Sequence, residues 1–115
     1  MLDLVIAEPR SDRYLGEVLL FKREWETGEI AYVVAPSVRG RGIATDAVKL
    51  RSGSTFEELR LQRLQLKVDP ENVASHRVAT KAGFQREHLP RSSFVLRGRR
   101  RDSVIYSRLP SDTAP

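Results

Sequence analysis

The sequence predicts a single α+β (mixed α/β) domain, a mixed and mostly antiparallel sheet carrying two helices in the order β-β-β-α-β-α-β-β. Three observations predict it. Alternating apolar runs near the N-terminus are separated by turn residues, a glycine-rich segment opens a stretch of helical spacing, and a later short stretch has both a helix start and a helix stop signal. At 115 residues the chain fits one domain, 1–115, with one modest core and no room for a second.

Leu2–Ala7 and residues 14–21 are apolar runs on either side of Pro9, Ser11 and Asp12, which predicts two adjacent antiparallel strands joined by a turn. A second turn at 25–28 leads into residues 29–36. There Ile30, Tyr32 and Val34 alternate with Glu29, Ala31 and Val33, and Pro36 stops the strand. These three strands form a meander. Ile43–Leu59 then sets Ala44, Ala47, Val48, Phe56 and Leu59 on one helical face. Within it, the RSGST stretch at 51–55 places Gly53 mid-helix, where glycine costs about 1 kcal/mol relative to alanine. A kink or break is expected there.

Arg63–Val68 alternates Leu64, Leu66 and Val68 and ends at Asp69-Pro70, the pattern of a strand. Asn72 is placed to cap a helix whose stripe is Ala74, Val78 and Ala82, and Gly83 followed by Phe84 predicts a Schellman-type stop. In residues 84–109, FVL and SVIY flank RGRRRD, which predicts a final hairpin with the arginine run as its charged turn. Residues 110–115 read as a frayed, disordered tail.

Composition removes several function classes. No run approaches the ~20 apolar residues of a membrane span, and MLDLVIAEPR has a proline and charges where a secretory leader is apolar. A soluble cytoplasmic protein without membrane contact is expected. With 0 cysteines there is no disulfide framework, thiol nucleophile or thiolate zinc site, and His76 and His88 alone make no metal centre. The net charge of +5 points to an anionic partner without choosing one. A small basic nucleic-acid-binding module has one specific support, the RGRRR run at 97–101. No aromatic residue lies inside that run, so nucleic acid is the weaker reading.

Ligands of such sheets sit at the C-terminal ends of parallel strands, which selects the loop after Pro36 and the DPEN loop after Val68. In VAPSVRGRGIAT a strand ends and a helix begins across Gly40 and Gly42, with Arg39 and Arg41 interleaved. Glycines let backbone N–H groups turn outward and the helix N-terminus adds partial positive charge, so this loop suits a pyrophosphate. A basic solvated turn explains the same residues. The loop is neither a P-loop nor a complete dinucleotide fingerprint.

The segment R-G-R-G-I-A, Arg39 to Ala44, resembles the acyl-CoA loop of the GNAT acetyltransferase superfamily, Q/R-x-x-G-x-G/A. NVASHRVATKAGF, Asn72 to Phe84, is similar to the N-x-x-S…GF signature of the RimJ/RimL-type branch, and GRRRDSVIYSRL resembles that branch's closing hairpin. The three occur in order with suitable spacing over residues 29–109. The resemblance implies an N-acetyltransferase that uses acetyl-CoA as co-substrate and a primary amine, on a protein N-terminus or a small molecule, as acceptor. Arg39, Gly40, Arg41, Gly42, Ile43, Ala44 and Thr45 would hold the pyrophosphate through their amides. The Val34 main chain would pair with the pantetheine arm, and Asn72 and Ser75 would face the thioester.

In that setting Ser75 is the candidate proton donor to the leaving thiolate, against the plain reading of a small residue in a helix's first turn. Glu29 is the candidate base for the amine, against a solvated strand-end glutamate. Glu17 is a weaker candidate. Tyr32 and Tyr106 are read first as packing residues, and His76 as a helix-surface residue. With no cysteine for an acetyl-enzyme, direct attack by the amine is expected. The family's initial strand and two helices are missing from this sequence. That omission is expected to expose apolar sheet surface and favour a homodimer, and leaves a CoA-binding chain of little activity as the alternative. A stable monomer in sedimentation at micromolar concentration would oppose the dimer.

Overall fold

The computed structural model describes residues 2–7, 13–36, 39–40, 42–87, 94–96, 99–101 and 103–112. The opening meander forms as the alternation requires: β1 (Leu2–Ala7), β2 (Tyr14–Lys22) and β3 (Thr27–Val34) pair antiparallel in sequence. Trp25 and Glu26 make the β2–β3 turn with φ of 61° and 54°, the left-handed pair of a tight hairpin turn. Helix α1 (Ile43–Leu59) returns the chain, and β4 (Arg63–Val68) joins β3 in parallel. Helix α2 (Val73–Lys81) returns it again. The remainder is β5 (Gln85–Arg86), β6 (Phe94–Leu96), β7 (Arg99–Arg101) and β8 (Val104–Arg108). The main sheet runs β1-β2-β3-β4-β8-β5, with β6 and β7 as a separate ribbon.

The α+β class and the predicted order of elements are therefore present, with β5 and β8 as the closing pair of the main sheet. One pairing differs. FVL does not pair with SVIY: Phe94 to Leu96 lies against Arg101 to Arg99, while β8 lies between β4 and β5. The arginine run thus supplies a strand, and of its predicted turn Arg97 and Gly98 lie outside the described residues. Strand β8 is buried on both faces, with Ile105 and Ser107 enclosed as Val104 and Tyr106 are. A central position suits its apolar run better than a hairpin edge.

Both helices cover one face of the sheet. Val18, Leu20, Ile30, Leu64, Leu66, Val68, Val104 and Tyr106 meet Val48 of α1 and Ala79 and Ala82 at the end of α2 in one buried cluster. Ala47, Phe56 and Leu59 pack on its edge as their spacing predicts. The expected break at 51–55 does not occur. Ser52 Oγ donates to Val48 O (2.6 Å) and Ser54 Oγ to Arg51 O (3.1 Å), so the hydroxyls fold back onto the helix instead of competing with it. A Cβ added at Gly53 would meet nothing within 4 Å. Gly53→Ala should therefore raise stability by about 0.5–1 kcal/mol, read as a melting-temperature increase of a few degrees. A decrease would mean that glycine is needed at this turn.

Helix α2 follows its signals closely. Asn72 Oδ1 accepts from the Ser75 amide (3.1 Å). Gly83 N bonds Thr80 O (3.1 Å) and Phe84 N bonds Ala79 O (3.0 Å), the two bonds of a Schellman stop. Of its expected stripe, Ala82 is buried and Val78 packs on the edge of the core, Ala79 joins them, and Ala74 is exposed. At the C-terminus Leu109 N bonds Asp112 Oδ2 and Asp112 N bonds Leu109 O, both at 2.9 Å. The expected frayed tail thus opens with a closed turn, and 113–115 lie outside the described residues. The face opposite the helices carries Val5 and Val33, more than half exposed, beside half-buried Leu19, Phe21 and Ala31. Among the described residues no helix is long and apolar enough to cross a membrane.

Candidate functional site

Strands β3 and β4 pair only over Thr27–Arg63, Gly28–Leu64 and Glu29–Gln65. Beyond that point β3 stays with β2 as far as Val34 and β4 stays with β8 as far as Val68. The two parallel strands therefore separate, and a cleft of about 570 Å³ opens beside the split. Its walls are the end of β3, the Gly40–Gly42 loop with the first turn of α1, and one face of α2.

Register decides what β3 offers to the split. Arg23 N bonds Thr27 O and Ala35 N bonds Leu15 O, both at 2.7 Å. The odd-numbered residues of β3 are thus the ones hydrogen-bonded to β2. The N–H and C=O groups of Tyr32 and Val34 point to the other edge, where β4 has turned away. A strand edge with free donors and acceptors is what an extended amide-bearing ligand can pair with. The Val34 carbonyl accepts from Arg39 Nε (3.3 Å), which fixes that arginine at the mouth of the cleft.

The glycine loop supplies the anion end. Gly40 and Gly42 have φ of 81° and 76°, and Gly42 is the N-cap of α1 without a side-chain capping bond. The first-turn amides of Ile43, Ala44 and Thr45 have no carbonyl four residues back within the helix. These residues line the cleft beside Arg39, and their amides, with the helix dipole, favour a negatively charged group. Arg41 lies outside the described residues. No carboxylate lines this cleft among the described residues, whereas Arg39, Arg77 and Lys81 do.

The inner end of the cleft holds the two polar residues expected from the N-x-x-S motif. Ser75, in the first turn of α2, accepts a 3.1 Å hydrogen bond from the Tyr32 hydroxyl across the split, and Asn72 lies on the same wall. Burial pushes the Tyr32 phenol above its ordinary value despite the opposing Ser75 contact, so Tyr32 remains a protonated donor across neutral pH. Tyr32 is thus more than the packing residue that its strand pattern predicts. His76 is likewise not a simple surface residue. Its Nε2 lies 3.1 Å from the Pro70 carbonyl, which only accepts, and its Nδ1 lies 2.8 Å from the Tyr106 hydroxyl. In the neutral ring Nε2 donates and Nδ1 accepts, and this chain of bonds ties the 69–72 loop to the sheet.

Glu29 is the last residue of the parallel pairing, at the apex of the split, with its side chain on the face opposite the helices. It is not brought into the cleft with Ser75. Nor is it solvated: its side chain is 15% exposed, Oε1 accepts from Gln65 Nε2 (2.8 Å), and Lys67 and Arg23 lie at 3.6 and 3.5 Å. Glu17 accepts from the Tyr14 hydroxyl (3.1 Å) on the same far side. His88 lies outside the described residues. Sequence reading missed Arg77 and Lys81 as cleft residues. With Ala74 and Val78 they form an i, i+3, i+4, i+7 stripe along α2, a signal hidden because two of its four members are charged.

A split pair of parallel strands, with free main-chain edges on β3 and a glycine-rich helix N-terminus at the mouth, defines an acyl-CoA-type cleft. The model of the acetyltransferase (GNAT) domain family matches residues 1–85, and this chain belongs to that family. It is 36% identical over 104 residues to the Bacillus subtilis (strain 168) protein named "Probable N-acetyltransferase YjcK", covering 88% of this chain and 58% of that protein. It is 33% identical over 90 residues to the spermidine N(1)-acetyltransferase of Escherichia coli (strain K12), covering 78% and 48%. Among solved structures, a GNAT-family acetyltransferase from Bacillus anthracis superposes with a TM-score of 0.87 at 26% identity, over 94% of this chain and 66% of that one. RimJ of Mycobacterium smegmatis, solved in complex with CoA-disulfide, superposes at 0.78 with 28% identity, over 84% and 48%. The chain spans about half the length of the curated relatives it matches.

Proposed function

We propose that this chain binds acetyl-CoA in the cleft and transfers its acetyl group to a primary amine by direct attack. The observation that carries this reading is the separation of β3 from β4 immediately beside the uncapped N-terminus of α1. The amides of residues 42–45 and Arg39 take the diphosphate, and the main-chain edge of Tyr32 and Val34, where the Val34 carbonyl now accepts from Arg39 Nε, pairs with the pantetheine amides. This brings the thioester to Ser75 and Asn72. CoA complexed with the RimJ relative supports the ligand class, as does the absence of carboxylates from the cleft's described lining.

In the transfer, the amine nitrogen forms a bond to the thioester carbonyl carbon and the carbon–sulfur bond breaks. Ser75 accepts from Tyr32, so its own O–H is left to donate to the departing thiolate. Asn72 both caps α2 and lies at the same end. Glu29, at the apex of the split, receives the proton that the amine loses, directly or through water, after yielding one of its present partners. The amine approaches from the face opposite the helices, where Glu29 lies and where the apolar surface around Val5 and Val33 offers a site for the expected second copy of the chain. Polyamines are the first acceptors to try, since the relatives include a spermidine acetyltransferase, with the protein N-terminus expected from the sequence resemblance as the second. A CoA-binding chain with little turnover is the second reading, favoured by the bare acceptor-side sheet face.

The deciding measurement is a thermal-shift titration with acetyl-CoA against inorganic polyphosphate. At a ligand concentration of about 100 times Kd, specific binding stabilises by roughly 2.7 kcal/mol, or about 10 °C for a domain of this size. A rise confined to acetyl-CoA is expected. No rise, or an equal rise with polyphosphate, would reduce the arginines to a general anion surface.

A further inference from the structure

We propose that Arg77 and Lys81 form a second phosphate subsite in the cleft, one that reads a phosphate monoester. In coenzyme A this is the ribose 3′-phosphate, so the cleft distinguishes CoA from its dephospho form. The inference rests on the acetyl-CoA reading above and adds a specificity determinant to it.

The cleft wall on α2 is graded along the helix. Asn72, Ala74 and Ser75 stand at the end facing Tyr32, Arg77 and Val78 follow in the next turn, and Lys81 closes the stripe. Lys81 lies six residues beyond Ser75, about 9 Å along the axis at 1.5 Å per residue. The first turn is therefore neutral and polar, and the two cations stand in the middle and at the far end of the helix. The anion requirement of a diphosphate is already answered on the opposite wall by the residue 42–45 amides and Arg39. Two further cations are surplus to it.

Both cations are exposed, and neither has an ion-pair or side-chain hydrogen-bond partner among the described residues. Standing at i and i+4, they repel each other. A dianion between them would remove that repulsion. A phosphate monoester carries nearly two negative charges at neutral pH, which matches two cations, whereas each phosphorus of a diphosphate linkage carries about one. Lys81 also lies in the last turn of α2, where a cation complements the helix dipole. That role would change stability without any preference between ligands.

The test is isothermal titration of CoA and 3′-dephospho-CoA into the parent chain and into the double variant Arg77→Gln/Lys81→Gln, glutamine having a helix propensity close to that of both residues. The parent is expected to bind CoA at least about tenfold more tightly, the size of a charge-assisted contact, and the preference should shrink as salt is raised. The double variant should bind both ligands alike, at the parent's affinity for 3′-dephospho-CoA. Equal binding of both ligands by the parent would overturn the proposal. So would a preference that survives in the variant, or a variant that loses both ligands in equal measure, which would assign the cations to the diphosphate. Failure of the parent to bind either ligand would instead remove the acetyl-CoA reading, a result distinguishable from the others.

Discussion

Gly42→Asp is expected to eliminate acetyl-CoA binding while the protein stays folded. Gly42 is the N-cap of α1 in the left-handed region, and a Cβ there meets nothing within 4 Å. Aspartate is among the residues that tolerate this conformation best. It is also a favoured N-cap, since its carboxylate accepts from the first-turn amides. Those are the amides assigned to the diphosphate, so the side chain would occupy the anion site with an anion of its own and repel any ligand phosphate. Affinity should fall by at least about a hundredfold, the equivalent of roughly 2.7 kcal/mol, with a melting temperature within a few degrees of the parent. Gly42→Ala separates the two contributions, because it carries the backbone strain without the charge and should lose much less. A folded Gly42→Asp protein that binds acetyl-CoA as the parent does would show that the ligand lies elsewhere.

Ser75→Ala should leave acetyl-CoA affinity within about threefold and lower kcat by roughly a hundredfold, a typical loss for one acid–base or charge-stabilising group. The fold should not suffer. The bond from Ser75 to Asn72 runs through the Ser75 backbone amide, which alanine retains, and alanine is the better helix former. What is lost is the hydroxyl that links Tyr32 to the reacting end of the cleft. Turnover is read with spermidine and with a peptide bearing a free N-terminus, following release of the CoA thiol. Unchanged kcat would confine Ser75 to the first turn of α2 and leave Tyr32 and Asn72 as the donors at that end.

Much of the fold was legible because its signals are local. The meander declares itself by period-two alternation, Arg63–Val68 by the same pattern, and α2 by Asn72 at one end and Gly83-Phe84 at the other. Each rests on contacts within a few residues. The elements read less well are those whose partners are distant. Phe94 to Leu96 and Val104 to Arg108 are both good strands, and nothing within either segment states which neighbour it takes. Arg63–Val68 recruits β8 as a central strand, and that leaves FVL to pair with the arginines. In α1 the polar residues at 51–55 read as a break because their hydroxyls compete with the helix in isolation. Packed against the sheet, Ser52 and Thr55 are fully buried and the helix continues through them.

The sequence by itself determined the order of strands and helices, the two caps of α2, and the glycine-rich anion loop, all short-range consequences of residue type and spacing. Only the tertiary structure decided what the cleft contains. The separation of β3 from β4 depends on each strand having a second partner, β2 or β8, that holds it after Glu29 and Gln65. The Tyr32–Ser75 bond joins residues 43 positions apart. Arg77 and Lys81 face the cleft because α2 crosses above the split at one rotation about its axis. Such features depend on long-range pairing and helix orientation, which no local run of residues encodes.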